Sequence, residues 1–292
     1  MMKQSEILLA GKKIAFIGVG VIGKFMVSNL LKKGFEVSIY ARNRQKVEET
    51  IKEGAIFCES IKECVRNKDA VITIVGYPKD VEEVYFSSDG IINSASEGTY
   101  LIDMTTTTPS LSIKIHEIAK QKGLKALDAP VSGGDIGAKN ATLSIMVGGE
   151  QKDFESCKEI FESLGTTIVY AGSSGSGQHT KMSNQIAIAG VMAGVSEAIA
   201  YGKKVGLDLP TMLKSISNGA AQSFHLTNNA PKMLNKEFEP GFYIKHMVKD
   251  LKIAASEVPN LKVLNDVLEM YEALEKNGDG DLGTQALCKY YE

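Results

Sequence analysis

The sequence predicts an α/β domain built on a parallel sheet, joined by one long helix to an all-helical domain. Two observations carry this. From Lys13 to about Tyr170 short apolar strands alternate with amphipathic helices, the pattern of a sheet covered on both faces. Beyond the small-residue stretch Ala171-Gly172-Ser173-Ser174-Gly175-Ser176-Gly177-Gln178 the strand signal stops and helical periodicity takes over.

The elements follow in order. Lys13–Val19, rich in Ile and Phe, reads as a buried strand, followed by a helix from about Val21 to Lys33 that Gly34 ends. Phe35–Tyr40 is a second strand and Lys46–Glu53 a second helix; Ala70–Val75 and Thr99–Asp103 are further strands. Leu111–Lys122 is helical with Gly123 as its stop, and Leu124–Leu127 is a strand. Leu143–Val147 is a strand closed by Gly148-Gly149, Gln151–Ser163 a helix and Thr167–Tyr170 a short strand. Past the boundary come Thr180–Val205, one long helical pattern, and helices at Leu209–Ser217, Phe224–Met233, Ile244–Glu257 and Leu261–Asn277. The expected division is 1–165 for a dinucleotide-binding domain and 166–292 for a helical substrate and oligomerisation domain, with the connecting helix at about 178–205.

Composition narrows the function. A net charge of -2 leaves no footprint for a nucleic-acid or anionic-membrane partner. The four cysteines, Cys58, Cys64, Cys157 and Cys288, form no C-x-x-C pair and are too few for a disulfide scaffold. The leading MMKQSEILLAGKK lacks the shape of a signal peptide, and the longest strongly apolar run, Ile186–Val195, falls short of the roughly 20 residues a bilayer helix needs. A cytoplasmic protein without a membrane partner is expected.

Gly18-Val19-Gly20-Val21-Ile22-Gly23 sits between a predicted strand and a predicted helix. In that setting the first glycine permits the tight turn, the second lets backbone approach a pyrophosphate, and the third lets helix and strand pack closely. The helix N-terminus then offers N–H groups to negative charge. The α/β half is therefore expected to be a Rossmann-type domain. An NAD-preferring site would place an acid about 20 residues downstream. The segment here is Tyr40-Ala41-Arg42-Asn43-Arg44, with no acid. Arg42 and Arg44 can pair with a 2'-phosphate and Asn43 can add a donor, which favours NADP over NAD. The alternative, arginines on a solvated loop, stays open, more so for Arg44.

Three polar clusters interrupt regular elements. Asp103-Met104-Thr105-Thr106-Thr107-Thr108-Pro109 follows a strand, where ligands gather in open α/β folds, though Thr108 or Ser110 must cap the next helix. Asp128-Ala129-Pro130-Val131-Ser132-Gly133-Gly134 either exposes backbone N–H groups to an anion such as a carboxylate or is a tight turn. Lys181, Asn184 and Gln185 share one side of the long helix. By spacing alone Lys181 is either a solvated lysine or a catalytic one. Lys245 and Lys249 are four apart on a later helix, beside Asp250, and spacing gives neither a role.

The strings FIGVGVIGKFMVSNL, IDMTTTTP, LDAPVSGGDIGAKNATLSIMVGG, GSGQHTKMSNQ and FYIKHMVKDLKIA, in this order, resemble the 3-hydroxyisobutyrate dehydrogenase, or β-hydroxyacid dehydrogenase, family. That family also holds tartronate semialdehyde reductases and plant-type glyoxylate/succinic semialdehyde reductases. The resemblance runs from Lys13 to about Tyr290. It implies that Lys181 is the catalytic acid/base, that Asn184 and Gln185 orient the substrate, and that Ser132, Gly133 and Gly134 hold its carboxylate. It also places Thr106 near the nicotinamide, Lys249 at the cofactor and closed active site, and Phe242 or Phe238 in the lining. Arg42 matches the arginine of NADP-preferring members, with Ala41 and Asn43 departing from the usual Asn and Thr beside it. Val19 and Ile22 replace the usual apolar residues of the glycine loop, and Thr105 the usual serine. Val75-Gly76-Tyr77-Pro78 stands where the family reads Leu-Pro, on the nicotinamide side.

The resemblance implies an NADP-dependent oxidoreductase moving a hydride between NADPH and a small aldehyde acid or β-hydroxy acid, such as succinic semialdehyde, glyoxylate, tartronate semialdehyde or 3-hydroxyisobutyrate. It implies a homodimer or homotetramer and no metal. The alternatives are an imine or other non-acid carbonyl reductase, or a non-catalytic NADP-binding protein. The related imine reductases usually lack the lysine that is present here.

Overall fold

The structure is a computed structural model describing residues 11–292, so the expectation for the first ten lies outside the described residues. The chain forms two compact units, one ending at Lys181 and the other Met182–Glu292.

The first unit is a sheet flanked by helices. Its central strands are Lys13–Ile17 (β1), Glu36–Tyr40 (β2), Ile56–Phe57 (β3), Ala70–Thr73 (β4), Tyr100–Asp103 (β5) and Lys125–Asp128 (β6), in the order β3-β2-β1-β4-β5-β6 and all parallel. Strands buried on both faces read as continuous apolar runs. That is why KIAFI and AVIT were legible and why the two-residue β3 was not. Gly23–Lys32 (α1) covers one face with Met26, Val27 and Leu30, which pack against Ile14, Phe16 and Ile39. Arg44–Val47 forms a 3-10 turn leading into Glu48–Lys52 (α2). Three short helices, Ile61–Val65 (α3), Pro78–Phe86 (α4) and Ile91–Ser94 (α5), are too brief to show a period in sequence. Thr108 caps Pro109–Gln121 (α6) through Leu111 N–H, one of the two caps expected.

The sheet then departs from the all-parallel expectation. Val131–Ser132 (β7) continues the line of β6, and both pair antiparallel with Leu143–Gly149 (β8). The register is continuous from Leu127↔Gly149 and Asp128↔Gly148 to Val131↔Ile145 and Ser132↔Ser144. Pro130, which has no N–H to donate, marks the interruption, and its carbonyl still accepts Met146 N–H at 3.1 Å. Gly148-Gly149 is therefore part of β8, not its stop. Gly134–Lys139 (α7) lies between β7 and β8. Gln151–Ser156 (α8) and Lys158–Glu162 (α9) replace the single helix expected there, with a break at Cys157. Gly165–Gly172 (β9) is longer than expected and pairs in parallel with β8, so the sheet runs past residue 165.

Ser176–Lys204 (α10) is the long helix, beginning four residues before the expected Thr180. By length and composition it is apolar enough to cross a membrane. Its buried Met182, Ala189, Met192, Val195 and Ile199, however, belong to the core of the second unit, the position of a core helix. That core is completed by Leu209–Ile216 (α11), Ala230–Leu234 (α12), Ile244–Glu257 (α13) and Lys262–Lys276 (α14), around Leu251 and Tyr271. Where one helix was expected at Phe224–Met233, a π turn at His225–Asn229 precedes α12. Pro231 has no N–H to continue an α ladder through that stretch.

Candidate active site

Parallel strands share a direction, so the loops after β1, β2, β4, β5 and β6 all leave the sheet at its carboxyl end. Five expected clusters therefore meet there in the first unit: Gly18–Gly23, Ala41–Arg44, Val75–Tyr77, Thr105–Thr107 and Ser132–Gly134. Gly18 takes φ +101°, and a Cβ there would collide with the Ile74 carbonyl, so only glycine lets β1 turn this close to β4. At Gly20, by contrast, an added Cβ meets nothing within 4 Å. The loop thus has a tight base and an open top, and it fits the approach of a dinucleotide pyrophosphate. Val19 and Ile22 are half-buried against the core of this unit, while Val21 is exposed. Gly133 and Gly134 take φ +127° and +63°, next to the half-buried Ser132.

The structure separates the two arginines after β2. Arg44 lies 3.4 Å from Glu59 in an exposed pair, and its guanidinium sits 5.0 Å from the Phe57 ring centre. Asn43 Oδ1 accepts Gln45 N–H at 3.0 Å, a bond that does not use the donors of its Nδ2. Arg42 is exposed and available.

Beneath the threonine loop lies a buried polar network. Thr73 Oγ1 donates to Asp103 Oδ1 at 2.8 Å and lies 3.1 Å from the Tyr85 hydroxyl. Thr105 N–H also donates to Asp103 Oδ1, at 3.1 Å, and Thr105 Oγ1 accepts Val75 N–H at 3.0 Å, which ties the 75–77 loop to the threonine loop. Asp103 and Asp128 are register partners on β5 and β6. Burial pushes each carboxyl up to about 6. For a raised acid the favourable contribution is complete below the unfolded value, near 4, and is lost as pH rises through 6. Asp103→Asn keeps the acceptor and removes the charge. Its melting temperature should exceed that of the wild type at pH 8, by on the order of 2 kcal/mol, and converge with it only below about pH 4. Parallel thermal curves across that range would refute the assignment.

Lys181 stands in the second turn of α10 and is buried at 6% exposure. Asn184 and Gln185 follow one turn later, in the second unit, where a polar chain organises them. Gln185 Nε2 donates to Asp250 Oδ2 at 2.6 Å, and Asn184 Nδ2 donates to Gln185 Oε1 at 2.8 Å. A carboxylate oxygen only accepts, so Asp250 fixes which end of the Gln185 amide faces it, and Gln185 in turn fixes the Asn184 amide. Lys249 Nζ lies 3.1 Å from Asp250 Oδ1, an ion pair off the axis of a hydrogen bond. Asp250→Ala would strip the carboxylate from a buried amide and a largely buried cation. It should cost on the order of 3 kcal/mol in urea unfolding, whereas a loss below about 0.5 kcal/mol would show that the chain is incidental. Phe242 is half-buried against the core of the second unit, with its ring centre 6.0 Å from that of His246.

The first unit thus brings together Gly18–Gly23, Val75–Tyr77, Thr106, Ser132–Gly134, Arg42 and, at its end, Lys181. The second brings Asn184, Gln185 and Lys249 together and holds Phe242 on the same helical core. Sequence reasoning assigned no role to Asp103, Asp128, Gln178 or Asp250. Gln178, one turn before Lys181, and Asp250, next to Lys249, carried a positional signal; the two strand-end aspartates carried only their place in the sheet register.

Comparison with known proteins bears on this arrangement. Residues 13–172 match the NAD binding domain of 6-phosphogluconate dehydrogenase, and residues 175–291 match the NAD-binding domain of NADP-dependent 3-hydroxyisobutyrate dehydrogenase. An uncharacterized oxidoreductase of Bacillus subtilis is 53% identical over 96% of this chain and 99% of its own. A probable mitochondrial 3-hydroxyisobutyrate dehydrogenase-like protein of Arabidopsis thaliana is 40% identical over 94% of this chain and 84% of its own. Among solved structures, the 3-hydroxyisobutyrate dehydrogenase of Mycobacterium tuberculosis with L-serine has a TM-score of 0.88 at 27% identity, over 95% of this chain and 98% of that one.

Proposed function

Because the chain belongs to the 3-hydroxyisobutyrate dehydrogenase, or β-hydroxyacid dehydrogenase, family, we propose that it is an NADP-dependent reductase of small semialdehyde acids with Lys181 as its acid/base. An NAD(P)-dependent oxidoreductase of small hydroxy- and oxo-acids is what family membership makes it; the cofactor preference, direction and residue roles are our reading. The observation that carries it is the burial of Lys181. A lysine is almost never fully enclosed unless it is paired, so the burial marks an amine held in one place.

NADPH, when bound, supplies the hydride. The residues of the chain do the rest. Gly18–Gly23 and the N-terminus of α1 receive the pyrophosphate, Arg42 the 2'-phosphate, and Val75–Tyr77, Thr106 and Lys249 the remainder of the cofactor. Ser132, Gly133 and Gly134 bind the carboxylate of the substrate. Asn184, held by Gln185, directs its free carbonyl along α10 on the side of Lys181, and Phe242 adds apolar lining. As negative charge grows on the carbonyl oxygen, the protonated Lys181 amine stabilises it and donates the proton. In oxidation the neutral amine removes the hydroxyl proton.

Arg42→Ala should raise KM for NADPH about 10- to 100-fold, the worth of one or two charge-assisted hydrogen bonds, while KM for NADH moves less than about threefold. Equal effects on both cofactors would remove the 2'-phosphate from Arg42. The reaction class is tested by following NADPH absorbance with glyoxylate, succinic semialdehyde, tartronate semialdehyde, methylmalonate semialdehyde and cyclic imines. Turnover confined to the acids supports the reading. Turnover confined to imines, or NADPH binding without turnover, overturns it.

Two further parts of the reading concern setting and assembly. Four cysteines without a disulfide support a reducing, cytoplasmic location. The exposed Val191 and Tyr201 of α10, Val205 just past its end and Val263 of α14 support a homodimer or homotetramer through the helical unit. Light scattering at micromolar concentration reads the assembly directly, and a monomer there would remove it.

A further inference from the structure

Gln178 stands in the first turn of α10, three residues before Lys181, and is fully buried. Both ends of its side-chain amide are satisfied by a single loop. Nε2 donates to the Thr105 carbonyl at 2.8 Å, and Oε1 accepts the Thr107 N–H at 3.1 Å. The backbone N–H of Gln178 donates to Asp128 Oδ2 at 3.0 Å, and that of Gly175 donates to Asp128 Oδ1 at 2.8 Å. Sterics hold the same place: a Cβ on Gly177 would stand 2.5 Å from the Met146 carbonyl oxygen and 2.6 Å from that of Asp128. The helix start is therefore pressed onto the end of β6 and the middle of β8.

The pattern is specific in direction. A buried amide is costly unless both ends find partners, and an apolar side chain would fill the same volume without that requirement. Here the two partners flank Thr106, so the contact fixes both the position and the rotation of that peptide segment. Thr105 is itself bonded to Asp103 and Val75, so the segment is held from both sides.

We propose that Gln178 is a positioning residue that clamps Thr105 and Thr107 and thereby fixes the Thr106 segment at a set spacing from Lys181. This rests on the reading of Thr106 as a cofactor-side residue and of Lys181 as the acid/base. The hydride-delivering and proton-delivering parts of the first unit then move as one body. Asp128 serves the same end through the backbone of the helix start.

The test uses Gln178→Ala and Gln178→Glu. The second keeps the size and the acceptor for Thr107 and, with its carboxyl ionised at alkaline assay pH, removes the donor to Thr105. Turnover is expressed per NADPH-binding site, titrated by cofactor fluorescence, so that any misfolded fraction drops out. A displacement of roughly 1 Å costs about 100-fold in rate. Gln178→Ala should therefore lose on the order of 100-fold in kcat per titrated site, with KM for NADPH within about threefold; Gln178→Glu should lose at least about tenfold. If Gln178→Ala does not fold, Gln178→Glu alone decides. Turnover per site within about threefold of wild type in the folded variants overturns the proposal, as does a loss confined to the number of sites. Hydrogen exchange separates this failure from a failure of the proposed function. Without substrate, the Thr107 amide should lose protection in Gln178→Ala. Unchanged protection removes the clamp even if the wild-type enzyme is active, and lost protection with an inactive wild type leaves the clamp standing while the reaction assignment falls.

Discussion

Lys181→Ala should lower kcat/KM for semialdehyde reduction on the order of 1,000-fold or more while the NADPH dissociation constant stays within about threefold. The asymmetry is the point. Lys181 lies in α10, away in sequence from the glycine loop and Arg42, so the proposed cofactor contacts survive its removal. The chemistry does not, because no other lysine or histidine lies within four residues of it on α10 except His179, two residues away and exposed on a different side. Lys181→Arg keeps the charge but cannot become neutral near pH 7. It should retain more of the reduction rate than of the oxidation rate. In the wild type the same requirement places the optimum for oxidation at higher pH than that for reduction, since oxidation needs the neutral amine. An oxidation rate flat from about pH 6 to 10, against a free-lysine value near 10.4, would remove Lys181 as the base. Wild-type turnover in Lys181→Ala would remove it from the reaction altogether.

The fold was legible where a single physical signal dominates. The runs Ile14–Ile17 and Ala70–Thr73 are buried on both faces, and the glycine loop between strand and helix has few structural readings. The antiparallel turn at β8 was not legible, because Pro130 splits one line of pairing into two short strands and the reversal depends on register. At the candidate site, the sequence favoured Arg42 over Arg44 without showing a physical reason. Only the fold places Phe57 and Glu59 beside Arg44 and so leaves Arg42 available. Lys181, Asn184 and Gln185 shared a helical side by spacing, but the bond that orients them comes from Asp250, 65 residues from Gln185. Gln178 was hidden for the same reason, since its partners lie 71 and 73 residues away. Local pattern finds the group that carries chemistry. The groups that hold it are set by tertiary contacts, which one sequence does not display.

Two glycines of the same loop should fail in different ways. Gly18→Ala should destabilise the protein by on the order of 3 kcal/mol or more. Its φ of +101° excludes a side chain, and the new Cβ would collide with the Ile74 carbonyl oxygen and stand 2.7 Å from the carbonyl carbon. Relief would require β1 to part from the loop after β4, breaking the 3.0 Å bond from Ile74 N–H to the Ile17 carbonyl. Gly20→Ala meets nothing within 4 Å and its φ lies outside the left-handed region, so its melting temperature should match the wild type. The added methyl would instead occupy the space through which backbone approaches the pyrophosphate, lowering NADPH affinity by about 30-fold, some 2 kcal/mol. Calorimetry and cofactor titration on the two variants separate these costs. Wild-type NADPH affinity in a fully folded Gly20→Ala protein would move the pyrophosphate off this loop, and with it the cofactor placement on which the roles of Arg42, Thr106 and Lys181 depend.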